Sequence, residues 1–127
     1  MSVNPSAQSV TFNITLGDGG MTINGKGNGG TAISVPQGWS VTLNCKNASS
    51  GIPHSCAVVD SQGNDTVQFN ASTSNATSGM GSGQSQVTTF KATTVGTFRL
   101  ACLVPGHEGA GMWATFTVTP SGSPSIS

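Results

Sequence analysis

Charge is scarce in this chain. Of 127 residues, four are Lys or Arg and four are Asp or Glu, so 6% are charged and the formal net charge is zero. An ordinary soluble domain carries about 25%. Cations this few cannot neutralise a run of phosphates, which excludes nucleic-acid binding, and no basic cluster exists to hold an anionic membrane surface. Tyrosine is absent, histidine occurs twice and glutamate once, so acid–base catalysis has little material. No apolar stretch approaches the roughly 18–20 residues of a membrane span. The opening MSVNPSAQSV has neither the charged nor the apolar region of a signal peptide. A mass of 12.7 kDa is that of a single domain. What the chain has in quantity is Gly, Ser, Thr and Asn, which make up nearly half of it. Disordered chains pair low hydrophobicity with high net charge, whereas 35% of residues here are hydrophobic. Small polar residues on the outer faces and turns of an all-β domain account for both observations.

The apolar residues alternate with a period of two. Val10, Phe12, Ile14 and Leu16 form one such run, and Trp39, Val41, Leu43 and Cys45 another. Phe98, Leu100 and Cys102 repeat it, as do Met112, Ala114, Phe116 and Val118, and Cys56 and Val58 share parity with His54. Each reads as a strand with one face on a core. Weaker strands are expected at 31–35, 66–70 and 86–91. Glycine-rich segments separate the runs, so a β-sandwich is expected. The domain is bounded at 9–119, with a flexible segment at 1–8, a polar low-complexity excursion at 71–86 containing Met80 as a loop residue, and a frayed tail at 120–127. Five N-x-S/T sequons occur, at Asn13, Asn47, Asn64, Asn70 and Asn75; glycosylation there would place the domain outside the cytoplasm, and chance occurrence in so Asn- and Ser-rich a chain explains them equally.

Chemistry concentrates in ACLVPGHEGAGMWATFTV, residues 101–118. Cys102, His107 and Met112 are separated by four residues each, so a strand end, a Gly/Pro loop and the next strand aim a thiol, an imidazole and a thioether at one pole of the sandwich. A trigonal set of two His and one Cys with a long axial Met is the type 1 copper arrangement. The second imidazole is available only from His54, in SSGIPHSCAVV. Zinc is the alternative metal, but it seldom uses Met, and structural zinc takes four strong N or S ligands.

The ligand loop with its PGH and GMW, together with IPHS around His54, resembles the cupredoxins, the small blue copper proteins, and within them the sulfocyanins most and the rusticyanins next. The resemblance spans about residues 9–119 and implies a cupredoxin-like Greek-key β-sandwich with the copper at one pole. It implies His54, Cys102 and His107 as equatorial ligands of one copper cycling between Cu(I) and Cu(II), and Met112 as the axial ligand. Ser55 stands where cupredoxins place a small polar residue that ties the ligand loops together and shields the Cys sulfur. With Cys102 so assigned, Cys45 and Cys56 remain as a pair, expected as a disulfide, with two buried thiols the alternative.

The expected function is one-electron transfer, not enzymatic turnover. His107 would lie nearest the surface, within an apolar docking patch of Leu103, Val104, Pro105, Gly106 and Ala110 with Gly109 and Gly111. The sulfocyanin resemblance implies a monomeric respiratory carrier of an acidophilic archaeon. It would lie on the outer face of the cell membrane, tethered by a segment outside this sequence. A terminal oxidase would be the acceptor, and a bc-type complex or an iron-oxidising component the donor. The rival readings are a copper storage or delivery module and an accessory domain of a larger copper oxidase. A catalytic oxidase needs further His ligands, and Cys102 is flanked by Ala101 and Leu103.

Overall fold

The computed structural model describes residues 1–61 and 65–127. Its strands form two mixed sheets packed face to face, with no helix among the described residues. One sheet runs β1 (Ser2–Asn4), β2 (Ser9–Leu16), β4 (Ser40–Asn47), β7 (Ser85–Lys91). The other runs β10 (Ser125–Ile126), β3 (Ala32–Pro36), β9 (Trp113–Thr119), β8 (Gly96–Ala101), β5 (Ala57–Asp60), β6 (Val67–Ser72).

The alternating runs become strands because one parity can be buried. Phe12, Ile14, Leu16, Val41 and Leu43 project from the first sheet onto Ile33, Val35, Leu100, Ala114 and Phe116 of the second, all at most 1% exposed. Burying a side chain of the Val, Leu or Phe type contributes about 1.5–3 kcal/mol. The chain changes sheet after β2 and returns for β4, so β2 and β4 pair in parallel from Ser9↔Ser40 to Leu16↔Asn47. Parallel strands need such a crossover, since a hairpin joins only antiparallel neighbours. The weaker expectations at 31–35, 66–70 and 86–91 correspond to β3, β6 and β7.

The ends differ from expectation. The segment 1–8 holds β1, paired to β2 with Val3 opposite Val10, and the tail 120–127 holds β10, with Ile126 opposite Ile33. Both are short edge strands: β1 is held by backbone pairing with its residues exposed, and β10 adds the packing of Ile126 on the core. The excursion at 71–86 is narrower than expected. Ala71 and Ser72 finish β6, Ser85 and Gln86 begin β7, and Met80 between them is buried in the core at 3% exposure. Cys45 of β4 and Cys56, just before β5, form a disulfide that joins the two sheets.

Candidate metal centre

Strand β8 ends at Ala101, and Cys102 follows it, fully buried. The loop to β9 is closed by its own backbone. Cys102 N–H donates to the Met112 carbonyl at 3.1 Å, Met112 N–H to His107 O at 3.0 Å and His107 N–H to Val104 O at 3.0 Å. This short-range ladder holds Cys102, His107 and Met112 on one small hairpin. Met112 is itself fully buried in the core.

His54 arrives from the other side. It forms an isolated antiparallel bridge with Met80, His54 N–H donating to Met80 O at 3.2 Å and Met80 N–H to His54 O at 2.8 Å. His54 is 1% exposed, whereas His107 is half-buried at the loop's rim. The Nδ1 atoms of the two imidazoles stand 3.2 Å apart, and Cys102 Sγ is 3.5 Å from His107 Nδ1 and 3.8 Å from His54 Nδ1. A point equidistant from these three atoms lies about 2.0 Å from each, the ordinary length of an imidazole–metal bond. Burial lowers the pKa of His54, with the nearby His107 adding to the effect, and burial alone lowers that of His107. Both shifts favour the neutral rings, the form whose lone pairs can bind a metal. A soft sulfur and two imidazoles at this spacing fit copper, and the burial of Cys102 and His54 keeps water from the donor atoms.

Ser55 ties the two ligand segments together. Its N–H donates to Cys102 Sγ at 3.3 Å, its Oγ accepts from Leu103 N–H at 3.0 Å, and its hydroxyl donates to Ala76 O at 2.7 Å. Of the expected docking residues, Pro105, Gly106, Gly109 and Ala110 are exposed, whereas Gly111 is buried. Leu103 and Val104 are half-buried, Leu103 packing on Ala57, Val59 and Ala101 and Val104 on the main core.

Two positions escaped the sequence reading. Asn47, a sequon by its sequence, is fully buried, and its amide is consumed. Its Nδ2 donates to Ile52 O at 2.8 Å and to Met80 O at 2.9 Å, and its Oδ1 accepts from Ser49 N–H and Ser49 Oγ. It thus pins both segments that meet at His54, and no glycan fits on it. Asn13, Asn70 and Asn75 are exposed, and Asn64 lies outside the described residues. Gly17 is the second position. A Cβ there would stand 2.6 Å from His54 Cδ2, so the backbone itself forms the wall behind the ring. The only available signal was a glycine directly after a strand.

The family model described as "Sulfocyanin (SoxE) domain" matches residues 1–125. Among solved structures, a dithionite-reduced auracyanin from the photosynthetic bacterium Roseiflexus castenholzii superposes with a TM-score of 0.68 at 23% identity, covering 87% of this chain and 97% of that one. Rusticyanin from Thiobacillus ferrooxidans gives 0.61 at 20% identity, over 88% and 78% of the two chains. A multicopper oxidase, mgLAC, gives 0.66 at 23% identity, covering 90% of this chain but 40% of the oxidase. At these identities the likeness is one of fold. No curated protein sequence matches.

Proposed function

The chain belongs to the sulfocyanin family of blue copper cupredoxins, which bind a type 1 copper and transfer electrons, and from that premise we propose that it is a monomeric carrier in an extracytoplasmic respiratory chain. When bound, the copper supplies one-electron chemistry between Cu(II) and Cu(I). The chain's own residues do the rest. His54 and His107 would hold it through Nδ1 and Cys102 through its thiolate, and Met112 would add a weak thioether donor. The Ser55 N–H stabilises charge on the sulfur. The backbone ladder and the Asn47 amide keep the donors in place in both oxidation states, so little rearrangement accompanies transfer.

The observation that carries this reading is the triangle of Cys102 Sγ and two Nδ1 atoms around a common point at metal-bonding distance. His107 reaches the surface and His54 does not, so electrons enter and leave through the His107 imidazole, with a partner seated on Pro105, Gly106 and Ala110. A terminal oxidase is the acceptor, and a bc-type complex or an iron-oxidising component the donor. The Cys45–Cys56 disulfide supports a site outside the cytoplasm, on the outer face of the cell membrane. Four side-chain carboxylates and two imidazoles of lowered pKa suit an acidic exterior and an acidophilic archaeal host.

A second reading, an accessory domain of a larger copper oxidase, is favoured only by the match to part of a multicopper oxidase. A storage or delivery module would need a cluster of soft donors, and Cys102 is the one free cysteine. The test is colour. Copper(II)-loaded protein should be intensely blue and bleach on reduction, and Cys102→Ser should remain folded but colourless. A blue band surviving in that variant would exclude Cys102 as the ligand. Stopped-flow reduction by ferrous iron, compared with reduction by host membranes, separates the two donors.

A further inference from the structure

The outer face of the six-stranded sheet carries a small second cluster beside the copper pole. Ala57, Val59 and Ala101 are fully buried there, under Leu103 and Trp113. Arg99, the chain's single arginine, lies on the same face of β8 as Ala101. Its Cζ sits 3.8 Å from the centroid of the Trp113 ring, and its Nη1 is 3.2 Å from Glu108 Oε2. The Arg99 side chain is 25% exposed and that of Glu108 15%. The Trp113 ring also lies against Gly29, where a Cβ would come within 2.6 Å of it, and the Gly29 N–H donates to Trp113 O at 2.9 Å.

The two groups held by this one guanidinium have particular neighbours in sequence. Glu108 directly follows His107, and Trp113 directly follows Met112. Between Glu108 and Met112 lie Gly109, Ala110 and Gly111, which have no side chain long enough to anchor the loop from outside. An exposed ion pair alone is worth little. Here the cation is stacked on an indole that is itself wedged against backbone, and the carboxylate is largely out of water, so the three groups are mutually oriented.

We infer that Arg99 is a positioning residue of the copper centre, gripping the ligand hairpin at Glu108 and Trp113 and so fixing His107 relative to Met112. The inference rests on the copper reading above. A planar fork can pair and stack at once, whereas an ammonium carries the charge without the geometry. Arg99→Lys is therefore the informative change.

The experiment compares the parent with Arg99→Lys and Glu108→Gln in three measurements. These are copper affinity by chelator competition, the ratio of the two thiolate-to-copper charge-transfer bands, and denaturant unfolding of the metal-free and the copper-loaded protein. Arg99→Lys should weaken copper binding about 10–100-fold, as loss of groups that orient metal ligands generally does. It should also change the band ratio and lower the unfolding midpoint of the copper-loaded protein more than that of the metal-free protein. Glu108→Gln should move affinity and band ratio in the same direction. An Arg99→Lys protein with parental affinity and band ratio would overturn the inference. So would equal loss of stability with and without copper, which is what a purely structural contact would produce. A parent that stays colourless with copper would instead overturn the copper reading itself, so the two failures are distinguishable.

Discussion

Gly17 offers the sharpest test of how the site is walled. Its φ is +79°, in the left-handed region, and a Cβ would stand 2.6 Å from His54 Cδ2 and closer still to Nε2. Gly19 has nearly the same φ, +81°, with nothing within 4 Å of its added Cβ. Alanine at either position incurs a conformational cost of about 1–2 kcal/mol, offset by about 0.4–1 kcal/mol from a less flexible unfolded chain. Gly19→Ala should therefore lose about 1 kcal/mol. Gly17→Ala adds overpacking of about 1–3 kcal/mol, for a total of about 2–4 kcal/mol. That lowers the melting temperature by about 8–16 °C for a domain of this size. To restore ordinary van der Waals contact the His54 ring must retreat by about 1 Å, far beyond the ±0.2 Å that a metal site tolerates. Copper affinity should consequently fall about 100-fold in Gly17→Ala and stay parental in Gly19→Ala. Denaturant unfolding of both metal-free variants, followed by copper titration on the blue band, makes the comparison. Equal effects of the two substitutions would refute the idea that Gly17 forms the wall behind His54.

Met112→Leu should stay blue and shift the reduction potential upward, because a weak donor to Cu(II) is lost; potentiometric titration reads the sign. Asn47→Ala should destabilise the metal-free protein by about 1–3 kcal/mol, since it leaves the Ser49 N–H without its acceptor and removes the amide that bridges Ile52 O to Met80 O, two carbonyls that keep Ser49 Oγ and His54 N–H as donors; a change under about half a kcal/mol, read from the denaturant midpoint, would contradict it. Replacing Cys45 and Cys56 together by Ala should cost about 3 kcal/mol for a bridge spanning 11 residues, again read from unfolding midpoints. The lowered pKa values of His54 and His107 favour the neutral rings in the fold. That contribution is complete above the unfolded value of about 6.5 and is lost as pH falls through the lowered folded values. Glu108, raised chiefly by burial, acts in the opposite sense, its contribution fading as pH rises through the raised value. With two imidazoles against one carboxyl, metal-free protein should weaken on acidification below about pH 6.5, while copper-loaded protein holds its colour to lower pH. A metal-free protein that gained stability over that range would reverse the sign.

The strands and the meeting of Cys102, His107 and Met112 on one loop were legible because both are local signals. Period-two burial in Val10–Leu16 or Met112–Val118 follows from the pleat, and Cys102, His107 and Met112 lie on one short hairpin. What was hidden depends on distant partners. Met80 looks like a loop residue until its backbone pairs with His54, and Asn47 looks like a sequon until four hydrogen bonds use its amide. Gly17 touches a ring 37 positions away in sequence, and no local pattern encodes that contact. The edge strands β1 and β10 lack alternation because their residues are mostly exposed, so only their registers with β2 and β3 reveal them.

The disulfide has a consequence for how the site assembles. Cys45 and Cys56 close a ring that contains both Asn47 and His54, while the other three proposed ligands lie within residues 102–112. In an oxidised but unfolded chain, every ligand thus belongs to one of two compact covalent pieces, and bringing those pieces together is the one long-range step that joins the ligands themselves. Copper can meet the thiol, imidazole and thioether of the hairpin before that step, nucleating the site from one side. The same local affinity lets the metal bind the denatured ensemble. Copper should therefore speed refolding, yet raise the equilibrium stability by less than its affinity for the folded protein alone would suggest.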